Sequence, residues 1–251
     1  MRKFAYFVLA LSFFLMPKLG SEDWKRVYLA TYPRSGNHWV RFLLEEATHI
    51  ATSSAYPDRT PEYQHLRTPF PWGGYCCPNG YHGNCSYPEK SDIVVIKTHY
   101  PCLGKTKFDC VSHLKTIRIV RHPVDSFYSY YVFSHRGKPQ KKLVPSDTVK
   151  QYITSFRRFQ AYYNDQDDVV TFRYEDLLEN PLIVFSQILE AVGYSVRNED
   201  IERAVLTFPP IGGLLKHRDK FRPKDLELIN RELSDFLQQF DYPVVDIRPN
   251  Y

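Results

Sequence analysis

Short apolar runs alternate with segments of helical spacing along this chain, and this alternation restricts the fold more than any other sequence feature. The strand-like runs are residues 26–31, 93–98, 116–120 and 169–172. Helical spacing covers residues 37–50, 123–134, 147–163, 181–192 and 223–240. Continuous apolar runs are typical of strands buried on both faces, and strands separated by helices usually pair in parallel. The sequence therefore predicts an α/β fold of three layers, in which helices flank a central parallel sheet.

The composition supports one sizeable core. Of the 251 residues, 43% are hydrophobic and 24% are charged, and the mean hydropathy is −0.42. These values exclude a disordered chain and a multi-span membrane protein. The net charge of +5 is not gathered into Lys/Arg runs, so it favours a basic cleft for a small anionic ligand over binding of nucleic acid. The length predicts a single domain over residues 22–251.

Residues 1–21 have the features of a targeting segment. Two positive charges precede the apolar run at residues 4–16, which ends before Pro17. A helix of that run would extend about 20 Å, short of the roughly 30 Å hydrocarbon core, so a cleaved signal peptide is favoured. A short type II signal anchor stays open because Lys18 and Leu19 suit a cleavage site poorly, and a buried core helix is a third reading. The segment predicts the secretory pathway, with the Golgi lumen as the location and membrane contact only through an uncleaved leader.

Residues 52–90 form the strongest shift in composition, being rich in Pro, Tyr, Gly and Cys and without periodicity. A long irregular segment within a compact domain is usually functional or disordered, and its aromatic residues and cysteines favour order. We expect an ordered insert that forms a lid or a wall of the acceptor site.

The cysteines are clustered, and after secretion they predict disulfide bonds. The five are Cys76, Cys77, Cys85, Cys102 and Cys110. Cys102 with Cys110 would close a short loop, Cys85 can pair with Cys76 or Cys77, and one thiol remains. A zinc site is the alternative, although no CxxC pair is present. Asn84 begins a glycosylation sequon, which is used only if this segment faces a lumen.

The sequence TYPRSGNHW, residues 31–39, follows the first strand and opens the first helix. Backbone N–H groups at a helix N-terminus attract an anion, Gly36 permits close approach, and Arg34 adds a fixed positive charge. The sequence GxxxxGK[ST] is absent, so this is not a Walker A loop. The pattern predicts a phosphate cradle, and an ordinary turn remains the alternative.

Two more strand ends carry candidate site residues. Arg121 ends one strand and Ser129 follows eight residues later, and together they could hold a second phosphate. The alternative is that Arg121 pairs with Asp125. In IKTHYP, a further strand ends at Lys97 and His99. Histidine is suited to accept a proton near neutral pH, although a lone histidine is more often structural.

Together these segments resemble the sulfotransferases that use 3′-phosphoadenylyl sulfate (PAPS), in particular those of the secretory pathway. TYPRSGNHW is similar to the family's 5′-phosphosulfate loop, IKTHYP to its catalytic strand, IVRHPVDSFYSYY to its 3′-phosphate segment, and FRYEDLLENP to its next block. The resemblance covers roughly residues 26–192 and implies a P-loop NTPase-like fold.

The resemblance also implies roles for individual residues. His99 would be the general base, while Lys97 and Arg34 would stabilise charge on the sulfuryl group and on the leaving phosphate. The residues implied to bind PAPS are Arg34, Ser35, Gly36, Asn37, His38, Trp39, Arg121, Ser129 and Tyr174. No metal is implied. PAPS would be the co-substrate, and the acceptor would be a hydroxyl or an amine, with a glycan expected from the leader.

The chain departs from the family pattern at three places. Arg34 stands where many members have Lys, and Arg is a poor proton donor. Asn37 and His38 replace a Thr pair, and His38 would bind phosphate best when protonated. The late Arg-Lys-Gly sequence is not evident, so Lys216 and Arg218 are substitutes, with a solvated basic loop as the alternative. Two other functions stay open: a non-catalytic PAPS- or glycan-binding protein, and a P-loop kinase dependent on Mg²⁺.

Overall fold

A five-stranded parallel sheet forms the centre of the protein. The computed structural model describes residues 27–54, 93–101, 115–135 and 142–248. The strands are β1 (Tyr28–Thr31), β2 (Ala51–Ser54), β3 (Ile93–Thr98), β4 (Thr116–Val120) and β5 (Val169–Arg173), in the spatial order β2-β3-β1-β4-β5. All four strand pairs are parallel. β1 therefore lies in the middle, with β3 on one side and β4 on the other.

Eight helices and one short 3-10 helix surround the described sheet. The helices are α1 (Asn37–Thr48), α2 (Pro123–Ser134), α3 (Ser146–Asn164), α4 (Tyr174–Glu179), α5 (Pro181–Val192), α6 (Asn198–Thr207), α7 (Pro223–Glu232) and α8 (Ser234–Gln239). Pro is the first residue of α2, α5 and α7, where its missing N–H removes no hydrogen bond and its fixed φ suits the helix. No helix in the described ranges is long and apolar enough to span a membrane.

Alternate residues of β1 pack into two cores on opposite faces of the sheet. Leu29 packs with Val40 of α1 and Phe185 of α5, whereas Ala30 packs with Phe127 of α2 and Phe156 of α3. Adjacent side chains of a strand point to opposite faces, so each strand contributes to both cores. This confirms the predicted three-layer α/β fold.

The structure also corrects several predicted elements. β2 begins where the insert was expected, and the insert's remaining residues 55–90 lie outside the described ranges. β2 lacks an apolar pattern because its buried residue Thr52 is polar. The Thr52 hydroxyl donates to Glu45 of α1 at 2.6 Å. The long helix predicted near the C-terminus is two helices, α7 and α8, because Leu233 leaves helical dihedrals while its side chain stays buried. α4 and α6 were not predicted.

The leader, the five cysteines and Asn84 also lie outside the described residues. The disulfide, zinc and glycosylation readings stay predictions, as does the domain boundary at residue 22.

Candidate active site

The strand order brings the three predicted segments to one edge of the sheet. In register, Ala30 of β1 is opposite Thr98 of β3, and Thr31 is opposite Ile119 of β4. Since the three strands are parallel, their carboxyl ends lie side by side. The loop after β1, His99 and Arg121 therefore start from neighbouring points, where ligands of open α/β sheets bind.

The loop between β1 and α1 is a tight turn with an open helix N-terminus. Arg34 has φ 67° and Gly36 has φ 98°, and Ser35 N–H donates to the Tyr32 carbonyl at 3.1 Å. Gly36 caps α1 without any side-chain hydrogen bond to the helix. The first N–H groups of a helix lack partners within it, so this geometry leaves donors for an anion.

Gly36 is also where the loop meets the ring of Tyr174. A Cβ at Gly36 would lie 2.4 Å from Tyr174 Cδ2 and 2.7 Å from Cε2. The ring is held on its other sides, because Tyr174 Oη donates to the Ile211 carbonyl at 3.2 Å and the Arg121 guanidinium lies 4.6 Å from the ring centre. Glycine is required here by the close approach as well as by the backbone angle.

Direct hydrogen bonds join the two predicted phosphate segments. Arg34 Nε donates to Ser129 Oγ at 3.2 Å, and Arg121 donates to the Arg34 carbonyl at 2.9 Å. The Arg34 guanidinium also lies 5.0 Å from the ring centre of Phe133. Among the described residues Arg121 forms no ion pair with Asp125, which was its alternative role. The sequence-predicted Arg34, Arg121 and Ser129 thus form one basic group.

Two buried donors in this group fit a phosphate ligand. Ser35 Oγ and Arg121 Nε are buried and have no hydrogen-bond partner within the described part of the chain. A buried donor without a partner carries a free-energy penalty, which a bound anion removes. These residues therefore fit a phosphate-bearing ligand such as PAPS.

His99 is held in one tautomer by β1. Its Nδ1 lies 2.8 Å from the Thr31 carbonyl oxygen and 3.2 Å from Thr31 Oγ1. A carbonyl only accepts, so Nδ1 carries the proton and the neutral ring has its lone pair on Nε2. Burial, followed by the charge of Lys97, lowers the pKa of His99 to about 3. Lys97 itself is buried.

Thr31 also connects His99 to the phosphate loop. Asn37 Nδ2 donates to Thr31 Oγ1 at 3.3 Å, and Thr31 is fully buried. Thr31 was not predicted to be a site residue, because a threonine at the end of a strand carries no signal of its partners.

His38 and Trp39 follow Asn37 at the start of α1. Burial, followed by the charge of Lys97, lowers the pKa of His38 well below its usual value, so the free protein opposes the protonated form that would best bind phosphate. Trp39 Nε1 donates to the Phe208 carbonyl at 2.8 Å, and its ring meets Tyr174 edge to face at 5.8 Å. The described structure thus places Trp39 beside the predicted nucleotide residue Tyr174.

Lys216 and Arg218 differ in their surroundings. Lys216 is exposed. The Arg218 guanidinium donates to the carbonyls of Asp246 and Arg248, in the C-terminal segment. Asp125, which was considered only as a partner for Arg121, accepts from the backbone N–H groups of Leu215 and His217.

Glu175 bonds the chain just after Arg121. It is buried and accepts from the His122 N–H at 3.0 Å and from Tyr242 Oη at 2.6 Å. Burial raises the pKa of Glu175. The sequence offered no signal for this contact, since Tyr242 lies 67 residues away. Within the described residues, no group of three or more His, Cys, Asp or Glu side chains could hold a metal ion.

Comparison with known proteins agrees with this geometry. The family model for the sulfotransferase domain matches residues 25–208. Mouse (Mus musculus) sulfotransferase 6B1 is 25% identical over 190 residues, which are 70% of this chain and 57% of that protein. Mouse sulfotransferase 1A1 is 26% identical over 195 residues, covering 71% of this chain and 63% of that protein. The chain thus spans less than two thirds of the length of these relatives.

The fold agrees as well. The crystal structure of mouse sulfotransferase SULT7A1 complexed with PAP matches with a TM-score of 0.54 at 15% identity, covering 86% of this chain and 85% of that one. The matched domain includes the loop after β1, the end of β3 and the start of α2. The chain therefore belongs to the sulfotransferase-domain family.

Proposed function

We propose that this protein transfers the sulfuryl group of PAPS to a hydroxyl or amine acceptor. The observation that carries the proposal is the meeting of Arg34, Arg121 and His99 at one edge of the sheet. Two cationic segments joined by hydrogen bonds suit a ligand with two separated anionic groups. A neutral imidazole beside them suits proton removal from an incoming nucleophile. Family membership and the PAP complex of the structural relative support the same donor.

The first step of the mechanism is binding of the donor. The N-terminus of α1, with Ser35 and Gly36, would hold the 5′-phosphosulfate, while Arg121 and Ser129 would hold the 3′-phosphate. Trp39 and Tyr174 would lie along the nucleotide. PAPS supplies an activated sulfuryl group on a phosphate leaving group. The buried donors of Ser35 and Arg121 gain partners on binding, which favours the loaded state.

His99 would then accept the proton of the acceptor at Nε2. Thr31 keeps the Nδ1 proton in place, so the ring is already oriented before the acceptor arrives. The pKa of about 3 keeps the imidazole neutral at physiological pH. Bound phosphates bring negative charge next to Lys97, which opposes the lysine's effect and raises the basicity of His99.

Lys97 and Arg34 would stabilise the charge that develops during transfer. A loosely bonded group with charge on its outer oxygens is helped mainly by positioning and by cationic donors. Arg34 hydrogen-bonds Ser129 in this structure, so its guanidinium connects the 3′-phosphate segment with the phosphosulfate loop. Arg keeps its charge permanently and acts electrostatically rather than as an acid.

The acceptor and the location extend the proposal. We propose a glycan acceptor in the Golgi lumen, and the support for both is the apolar leader at residues 1–21. We expect the acceptor wall from the Tyr- and Pro-rich insert, of which residues 55–90 lie outside the described ranges. Contact with a membrane would be limited to the leader if it is not cleaved.

The experiment is incubation of the purified protein with ³⁵S-labelled PAPS and a panel of glycans, peptide tyrosines and small phenols. Labelled product in EDTA is expected, because the transfer relies on cationic side chains. Phosphoryl transfer that requires Mg²⁺ would identify a kinase instead. Binding of PAP, which is PAPS without its sulfuryl group, but no transfer to any acceptor would favour a non-catalytic binding protein.

Two variants separate chemistry from binding. His99→Ala is expected to lower kcat by roughly 10²–10⁴-fold with PAP affinity nearly intact. Arg121→Ala is expected to weaken PAP by about 1.5–3 kcal/mol, because a charge-assisted hydrogen bond is lost. Arg157→Ala removes the same charge from an exposed position on α3 and should change neither. Unchanged turnover in His99→Ala would refute its assignment as the base.

A further inference from the structure

Residues 209–217, here called the strap, cross from the end of α6 toward α2 and are tied to the candidate site at two points. Tyr174 Oη donates to the Ile211 carbonyl at 3.2 Å. Asp125 Oδ2 accepts from the Leu215 N–H at 2.7 Å, and Oδ1 accepts from the His217 N–H at 3.1 Å. Both anchors belong to the edge of the sheet that carries Arg121.

The aspartate anchor combines several contacts with the strap. Asp125 is fully buried and also lies 3.0 Å from His217 Nδ1. The His217 ring in turn packs on Tyr128, with ring centres 4.6 Å apart. A buried carboxylate needs several donors to offset its desolvation, and here the strap supplies them.

The strap adopts an uncommon conformation at the anchor. Leu215 has φ 55°, a left-handed value that residues with a side chain rarely take. Such a conformation persists where the surroundings hold it, and the Leu215 N–H is held by Asp125. Lys216 lies between the two residues whose N–H groups share this carboxylate, so Asp125 determines the backbone position from which the lysine extends.

The two anchors also lie next to the two predicted ligands of the 3′-phosphate. On α2, Asp125 lies four residues before Ser129, and residues four apart are neighbours on a helix surface. Arg121 precedes the helix, and its guanidinium lies 4.6 Å from the ring centre of Tyr174, whose hydroxyl bonds the strap at Ile211.

We propose that Asp125 is a positioning residue that holds the strap over the nucleotide, so that Lys216 adds a cation to the 3′-phosphate site. The inference rests on the proposed donor and names the residue that completes its 3′-phosphate recognition. Asp125 acts through the strap and does not touch the nucleotide itself.

The test compares the affinities of PAP and of 5′-AMP, which lacks the 3′-phosphate, by isothermal titration calorimetry. Asp125→Asn should weaken PAP about tenfold or more and leave AMP within about twofold, because only a charge-assisted contact to the 3′-phosphate is lost. The direction of the change in PAP affinity separates two explanations. Removal of a negative charge near a phosphate would by itself tighten PAP binding, so weaker binding reports positioning.

The chain offers a matched control for this charge change. Asp225 is likewise buried in the first turn of a helix, α7, where it accepts from Ser146 Oγ at 3.0 Å. Asp225→Asn should leave the ratio of PAP to AMP affinity unchanged. Lys216→Gln should reproduce the loss of Asp125→Asn, and the double variant should lose no more than either single one.

His217→Phe tests the anchor in case Asp125→Asn does not fold. It keeps a ring on Tyr128 and removes only the imidazole donor, so PAP affinity should fall severalfold while AMP affinity holds. Equal losses for PAP and AMP, or unchanged PAP affinity in a folded variant, would overturn the inference and leave the proposed donor standing. If the unaltered protein binds PAP no better than AMP, the proposed function fails and this inference fails with it.

Discussion

Replacement of Gly36 by alanine tests whether the phosphate loop and Tyr174 form one packed unit. The new Cβ would lie 2.4 Å from Tyr174 Cδ2, a separation at which something must move. The ring has little freedom, because it hydrogen-bonds Ile211 and lies against Arg121. Any relief therefore shifts the loop or the ring, and both line the predicted nucleotide site.

The magnitude follows from two contributions. The backbone at Gly36 has φ 98°, and a left-handed conformation costs a residue with a side chain about 1–2 kcal/mol. Overpacking against a fixed neighbour costs about 1–3 kcal/mol more. The sum, about 2–5 kcal/mol, corresponds to a fall in Tm of about 4–20 °C for a chain of this size.

Gly193 provides the control. It has φ 91° at the end of α5, and no atom lies within 4 Å of the Cβ position. Gly193→Ala should therefore lose only the backbone contribution and leave PAP affinity unchanged. Thermal unfolding followed by circular dichroism gives the stabilities, and calorimetry gives the affinities. The double variant Gly36→Ala/Tyr174→Leu should be less destabilised than the sum of its single changes, because the clash is relieved.

Equal falls in Tm for Gly36→Ala and Gly193→Ala, together with unaltered PAP binding by Gly36→Ala, would contradict the proposed packing of Tyr174 on the loop. That result would show that the ring of Tyr174 moves freely and that its contact with the loop does not shape the site.

Two further predictions concern stability. Burial lowers the pKa of His38, His99 and His122, the last two to about 3 and about 4. Below pH about 6.5 these histidines stay neutral in the folded protein, whereas the unfolded chain takes up protons. The free energy of unfolding therefore keeps its full value above pH about 6.5 and falls below it by up to about 1.4 kcal/mol per histidine per pH unit. A Tm that stays constant from pH 7.5 to 5 would contradict this. Tyr242→Phe removes a donor from the buried Glu175 carboxylate and should cost about 1.5–3 kcal/mol, measured as a lower Tm at pH 7.5; an unchanged Tm would show that the contact contributes little.

The sequence predicted the elements whose signals are local. The helices beginning at Pro123 and Pro181 were predicted with the bounds that the structure shows, because proline marks a helix start and apolar spacing marks its length. β2 was missed because its buried residue Thr52 is polar and bonds Glu45 of α1, so the strand has no apolar pattern. The break at Leu233 was missed because apolar spacing continues across it.

The candidate site was predictable in part for the same reason. Arg34, Arg121 and His99 each follow an apolar strand, so their positions at strand ends could be derived. These residues meet at one edge because the strand order places β1 between β3 and β4. No local pattern encodes that order.

What the sequence by itself determined is the set of strand ends and the charges placed on them, since hydrophobic periodicity and turn residues act over a few positions. Tertiary structure alone decided that the Tyr174 ring packs against Gly36 and that Asp125 bonds a segment 90 residues later in the chain. A short carboxylate in a first helical turn looks the same in sequence whether it faces water or a distant loop. Only the packed chain brings the donors that make its burial favourable.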